Sequence, residues 1–146
     1  HAISLFNMHI KFKELQKTDP FILHYMNLLG HHEFGSGHKI FDFSNSQNDI
    51  KKSEENINYW LNIWINYYEY LEKYLIRHNI HLLDYNKFCN DQHRYVEYFI
   101  KKKIENYSIK TLINRTVAKK NYGKFDDSLL NKANFLYEKL ITDYSL

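Results

Sequence analysis

INYWLNIWINYYEYLEKYLIR, residues 57–77, runs straight into HNIHLLDY, residues 78–85. Within the first run, Ile57, Trp60/Leu61, Trp64, Tyr67/Tyr68, Leu71 and Tyr74/Leu75 repeat at three- and four-residue steps, the spacing of one face of an α-helix. Ser53 in front of it reads as an N-cap, and Glu54 and Glu55 suit the positive end of the helix dipole. The stripe reads as a packing face. Behind Arg77-His78-Asn79, Ile80-His81-Leu82-Leu83-Asp84-Tyr85 has the length and apolar character of a short strand. A strand cannot satisfy its own backbone groups, so it calls for partner strands. The best candidate elsewhere is Ile40-Phe41-Asp42-Phe43. The expected fold class is therefore α/β: a predominantly helical chain with one or two short strands, and a sheet only part of which lies in these residues.

Working back toward residue 1, a helix is expected over about Ala2–Lys17. Ile3, Phe6, Ile10 and Leu15 lie near one face, with His9, Lys11, Lys13 and Glu14 largely off it. Thr18-Asp19-Pro20 starts a second helix, with Pro near its first turn, and Gly30 closes it as a C-cap. Residues 30–43 read as a loop punctuated by Gly30, Gly35 and Gly37, and 44–52 as a polar surface loop. Because residue 1 is His and a helical pattern begins with no polar run-in, residues upstream are expected, and 1–146 reads as a single partial domain.

Working forward, Asn90 or Asp91 caps a helix expected to reach about Ile104, with Lys101-Lys102-Lys103 at its negative end. Residues 109–124 form a basic, less regular stretch. A last helix starts near Asp126/Asp127/Ser128 and carries Leu130, Ala133, Leu136/Tyr137 and Leu140 inward.

The chain has 146 residues, a formal net charge of +3, 44% hydrophobic and 17% aromatic residues. That supports one domain with a real core and argues against disorder. The charge is too small to argue for nucleic acid as a partner. No apolar run is long enough to span a membrane, and there is no signal-peptide pattern. One cysteine, Cys89, excludes an intramolecular disulfide and a cysteine-based zinc site; beside Phe88 it reads as a buried structural thiol.

Chemistry concentrates in three places. His31-His32-Glu33 with His38 is the densest titratable group and suits acid–base work; adjacent residues in a turn point apart, so no metal is expected. Arg115, Lys119, Lys120 and Lys124 around Gly123 can wrap a phosphate. Ser4, in a helical first turn, can offer its hydroxyl to an anion held at the positive helix end. Each group also has a plain structural reading: a loop bonded to backbone, a solvated basic stretch, a solvated helix end.

Taken in order, His1-Ala2-Ile3-Ser4-Leu5, Asp19-Pro20-Phe21, Tyr25-Met26, Leu29-Gly30-His31-His32-Glu33-Phe34-Gly35, Leu82-Leu83-Asp84-Tyr85-Asn86-Lys87-Phe88-Cys89-Asn90-Asp91 and Ala133-Asn134-Phe135-Leu136-Tyr137-Glu138-Lys139-Leu140 resemble the later part of the sulfotransferases that use 3′-phosphoadenosine 5′-phosphosulfate. The resemblance covers most of the chain, and its weight lies in the order of short motifs. It implies a P-loop-like fold with a central parallel sheet, and transfer of a sulfuryl group to an acceptor hydroxyl or amine on a small molecule or carbohydrate. It also implies a donor-binding loop upstream, without which the chain does not catalyse transfer. Ser4 would be the serine that holds the donor's 3′-phosphate, its arginine partner lying before residue 1. Arg115 and Lys119 would close over the nucleotide phosphates. His32 and Glu33 would contact the acceptor or take its proton. The chain lacks the Arg-Lys-Gly signature of the cytosolic branch. A non-enzymatic helical interaction domain presenting Tyr68 or Tyr70 is the competing reading, and a nucleic-acid-binding module is a third.

Overall fold

A computed structural model describes residues 1–40, 43, 53–78, 80–101 and 123–145. Among them lie six helices: α1 (Ala2–Thr18), α2 (Pro20–Leu28), α3 (Ile57–His78), α4 (Tyr85–Asn90), α5 (Gln92–Ile100) and α6 (Asp127–Tyr144). The expected parallel-sheet, P-loop-like α/β fold is not what these residues form. No strand or sheet occurs among them, and the β-type contact present is an isolated parallel bridge between Leu82 and Ser145, in which the Leu82 N–H donates to the Tyr144 carbonyl at 2.8 Å. The physical reason is the lack of a partner: Ile80–Leu83 meets one residue at the end of α6, and Phe41 and Asp42 of the other strand candidate lie outside the described residues. Ile80 and Leu83 stay substantially exposed, so the apolar run is a connector between α3 and α4.

The long helix is the organising element, packing on α1 and on α6. Most of its expected stripe faces inward, but Tyr67 is exposed and Ile65, off that stripe, is among the most buried residues. Trp60, Leu61, Ile65 and Leu75 are buried with Ala133, Leu136 and Leu140 of α6 and with Ala2 at the start of α1. Its start differs from expectation. Ser53 Oγ accepts the Glu55 N–H at 3.2 Å, and the helix proper begins after Asn56, whose side chain accepts the Asn58 N–H at 2.9 Å, the bonding pattern of an N-cap. Glu54 and Glu55 therefore sit in a turn, where Lys13 of α1 bridges them at 3.2 and 3.0 Å. The buried Asn58 then ties α3 to the approach of α6, donating to the Lys124 carbonyl at 3.2 Å and accepting the Asp126 N–H at 2.8 Å.

The shorter helices have local causes. Asp19 caps α2 by accepting the Phe21 N–H at 3.0 Å, with Pro20 at its first position. At its end Gly30, at φ +71°, donates to the Asn27 carbonyl while His31 donates to that of Met26, the paired bonds of a Schellman motif that requires a left-handed residue. The helix expected from Asn90 or Asp91 is α5: Asp91 caps it by accepting the Arg94 N–H at 3.2 Å, and it ends at Ile100 with Lys101 in the left-handed region. Directly before it, α4 replaces the end of the expected strand. The later part of that expected helix lies outside the described residues. Cys89 is half-buried, not fully enclosed.

The first helix holds the largest surprise. Ile10 and Leu15, expected inward, are substantially exposed, and the buried residues are Ala2, His9 and Gln16. These fall on one line at heptad spacing, and two of the three are polar. The segment that follows α2 folds back along this line and brings amide donors to His9 Nδ1 and Gln16 Oε1.

Candidate functional site

Two regions carry chemistry, at different points along α1. The first is a cavity of about 830 Å³ at the start of α1, with Ser4, Trp64, Tyr68, Asp84, Asn134 and Tyr137 among its lining. Ser4 is exposed there. No side chain caps this end of α1, and no acidic residue lies in its first turn. The helix's own bonding begins with the Leu5 N–H on the His1 carbonyl, so the Ala2, Ile3 and Ser4 amides are the donors that an α-helix cannot satisfy internally. A serine hydroxyl beside free amides at a positive dipole end suits an anion.

The opposite wall is set by Asp84. Its Oδ1 accepts the Asn86 and Lys87 N–H groups at 2.7 and 2.9 Å, starting α4, and its Oδ2 accepts the Tyr137 hydroxyl at 2.9 Å. Burial opposes ionisation of this carboxyl, but the Lys87 amide, the Tyr137 hydroxyl and the Asn86 amide together outweigh it and hold the pKa below the usual 3.8. Tyr137 is pushed up by its burial and by the bond to Asp84. Among the described residues, no Lys or Arg lines the cavity.

The second region is the 30–38 loop docked on α1. The Gly35 N–H donates to His9 Nδ1 at 3.2 Å, and the next amide, Ser36, donates to Gln16 Oε1 at 2.7 Å. Gln16 turns its amide nitrogen to the Met26 sulfur at 3.2 Å. Phe34 enters between α1 and α3, stacked on Phe12 (6.3 Å) and Trp60 (6.2 Å). His38 bonds the His32 carbonyl through Nδ1 at 3.2 Å and the Tyr59 hydroxyl through Nε2 at 2.8 Å. A carbonyl only accepts, so neutral His38 carries its proton on Nδ1 and Tyr59 donates to Nε2. Burial and the nearby Glu54 charge push Tyr59 up to about 12, keeping it a donor.

Of the residues expected to act, Ser4 lines the cavity, whereas His32 and Glu33 belong to the docked loop and are not among the cavity's lining. His32 is half-buried, its Nδ1 finding no hydrogen-bond partner among the described residues. Glu33 lies 3.6 Å from His31 Nδ1 in a pair open to solvent, a weak contact. Arg115 and Lys119 lie outside the described residues. Asp84, Tyr137 and His9 were missed as site residues. Asp84 has a sequence signal, an Asp placed to cap the helix that begins at Tyr85; the heptad line through His9 gives no apolar signal, because two of its three residues are polar.

No family model, curated protein or solved structure matches the chain. Among the described residues, no helix is long and apolar enough to cross a membrane, and no group of three or more His, Cys, Asp or Glu side chains is placed to hold a metal ion.

Proposed function

We propose that this chain is part of a sulfotransferase, binding a 3′-phosphoadenosine 5′-phosphosulfate donor at the Ser4 end of α1 and the acceptor beside the 30–38 loop. The observation that carries the reading is the meeting of Ser4, the unsatisfied amides of α1 and a ligand-sized cavity, added to the order of motifs along the sequence. A volume of this size is ordinary for a small-molecule site. The donor set fits one phosphate: the Ser4 hydroxyl and the Ile3 and Ser4 amides would take it, and Trp64, Tyr68 and Tyr137 offer aromatic faces and hydroxyls to a nucleoside. Arg115 and Lys119 remain the cations proposed for the other phosphates.

Bound there, the donor supplies the sulfuryl group. The chain's own work is to fix the 3′-phosphate, to hold the acceptor and to receive the proton that its hydroxyl or amine loses. Half-exposed Glu33, with His32 next to it, takes that last role. No strand-and-glycine loop for the 5′-phosphosulfate is recognisable in these 146 residues, so the chain by itself is expected to bind without transferring.

Calorimetric titration of the natural protein with adenosine 3′,5′-bisphosphate tests the reading. Binding is expected, and Ser4→Ala should weaken it about 10- to 100-fold, the effect of losing one hydrogen bond to a charged group. A folded natural protein that does not bind the nucleotide contradicts it.

One observation favours a second reading, a non-enzymatic helical interaction domain. Phe21, Tyr25, Leu28 and Leu29 of α2 and its C-cap are each more than half exposed, an apolar surface of the kind partners cover. Cooperative folding of the chain alone, with a helical circular dichroism spectrum and no nucleotide binding, would select it.

A further inference from the structure

His9 is the most enclosed side chain of the first helix, at 0% exposure, and the proposed transfer chemistry leaves it unused. Its Nδ1 accepts the Gly35 N–H at 3.2 Å. An imidazole nitrogen that accepts carries no proton, so neutral His9 has its hydrogen on Nε2, which points toward Glu54 Oε1 at 3.6 Å, too long for a hydrogen bond. We propose that His9 is an acid-sensitive latch: neutral, it holds the 30–38 loop on α1; protonated on Nδ1, it turns a donor against the Gly35 N–H and lets the loop go.

The surroundings sharpen this behaviour. From the loop, His38 stands with its ring centre 5.5 Å from that of His9, so two imidazolium rings would repel. Lys13, one turn on along α1, adds a positive charge, while Glu54 and Glu55, from the turn before α3, favour the protonated form. Tyr59 of α3 faces His38 as a neutral donor. Burial is the largest influence and outweighs the two carboxylates, lowering the His9 pKa below 6.5. His38 behaves differently: its Nδ1 already donates to the His32 carbonyl, and a proton added at Nε2 can still be given to the Tyr59 oxygen. Of the two rings, His9 alone loses its loop bond on protonation.

The latch also reaches further than one bond. Gly35 sits at φ +81°, and Ser36, the next residue, bonds to Gln16. Release at Gly35 therefore loosens the second anchor and the stretch that carries His32 and Glu33. The inference rests on the docked loop and stands whether or not the chain takes part in sulfuryl transfer.

The test is nuclear magnetic resonance of the chain between about pH 7.5 and pH 4.5, following the His9 ring nitrogens and the hydrogen exchange of the Gly35 amide. The His9 titration and the loss of Gly35 protection are expected to share one midpoint below 6.5, with protection falling about tenfold or more while amides of α3 stay protected. His9→Asn, which keeps an acceptor near the Nδ1 position without a titratable ring, should hold the loop at both ends of the range. Should that variant fail to fold, the wild-type titration decides alone. The latch is overturned if Gly35 stays protected while His9 is protonated, if His9 does not titrate in the range, or if Gly35 and α3 lose protection together.

Discussion

Asp84 joins three pieces of the molecule with one carboxylate. Two amides of α4 and the Tyr137 hydroxyl of α6 converge on it, so removing it leaves the Tyr137 hydroxyl and two helix-end amides without their acceptor. Asp84→Ala is expected to lower stability by about 1–3 kcal/mol, measured as a shift in denaturant midpoint. Because the folded carboxyl titrates below 3.8, its contribution is complete above that value and is lost as pH falls from 3.8 toward the folded pKa. An Asp84→Ala protein should accordingly lose less stability than wild type across that acid window. Gly35 is a second position with a narrow requirement. Its φ is +81°, and a Cβ there would stand 2.6 Å from the Gln16 amide nitrogen. Gly35→Ala should cost about 1–2 kcal/mol in the same assay and undock the loop from α1. Neither His9 nor Gln16 is recognisable as a loop anchor from the sequence alone. His9 Nδ1 and Gln16 Oε1 each accept an amide from a segment some 20 to 26 residues away, and apolar periodicity records only apolar partners.

At the scale of the element, helices were legible where a stripe and a stop signal agreed. The Trp/Tyr stripe of α3, the Asp19-Pro20 start of α2, the Gly30 stop and the Asp126 cap of α6 all appear in the structure. Boundaries are ambiguous in the sequence where two capping residues compete, as Ser53 and Asn56 do before α3. The buried face of α3 can be tested against its open face on a single helix. Ile65 is 1% exposed and Ile76 is 71% exposed. Ile65→Ala should destabilise by about 2–5 kcal/mol in chemical denaturation, and Ile76→Ala should stay within about 0.5 kcal/mol. The residue 80–85 run shows what a short apolar segment leaves open. Its length and composition suit a strand, but whether it becomes one depends on a neighbour, and Leu82 finds a single bridge to Ser145.

At the scale of the molecule, α3 contributes to two working regions. Its Trp64 and Tyr68 line the cavity with the start of α1, Asp84 and Tyr137 of α6; its Tyr59 and Trp60 meet the loop that His9 and Gln16 hold on α1. At about 1.5 Å of rise per residue, Ser4 and His9 are about 7.5 Å apart along the helix axis, so binding and loop release are separable in measurement. Of the expected site, Ser4 was legible as a helix-end hydroxyl, while the placement of His32 and Glu33 outside the cavity's lining depended on how the loop folds back. The most direct test of the proposed donor site is amide chemical-shift mapping of the natural protein with adenosine 3′,5′-bisphosphate at neutral pH. Saturable shifts are expected at Ile3, Ser4 and Leu5 and around Tyr137, with Gly35 and Ser36 left in place. Shifts confined to the 30–38 loop, or none at saturating nucleotide, would contradict a donor site at the start of α1.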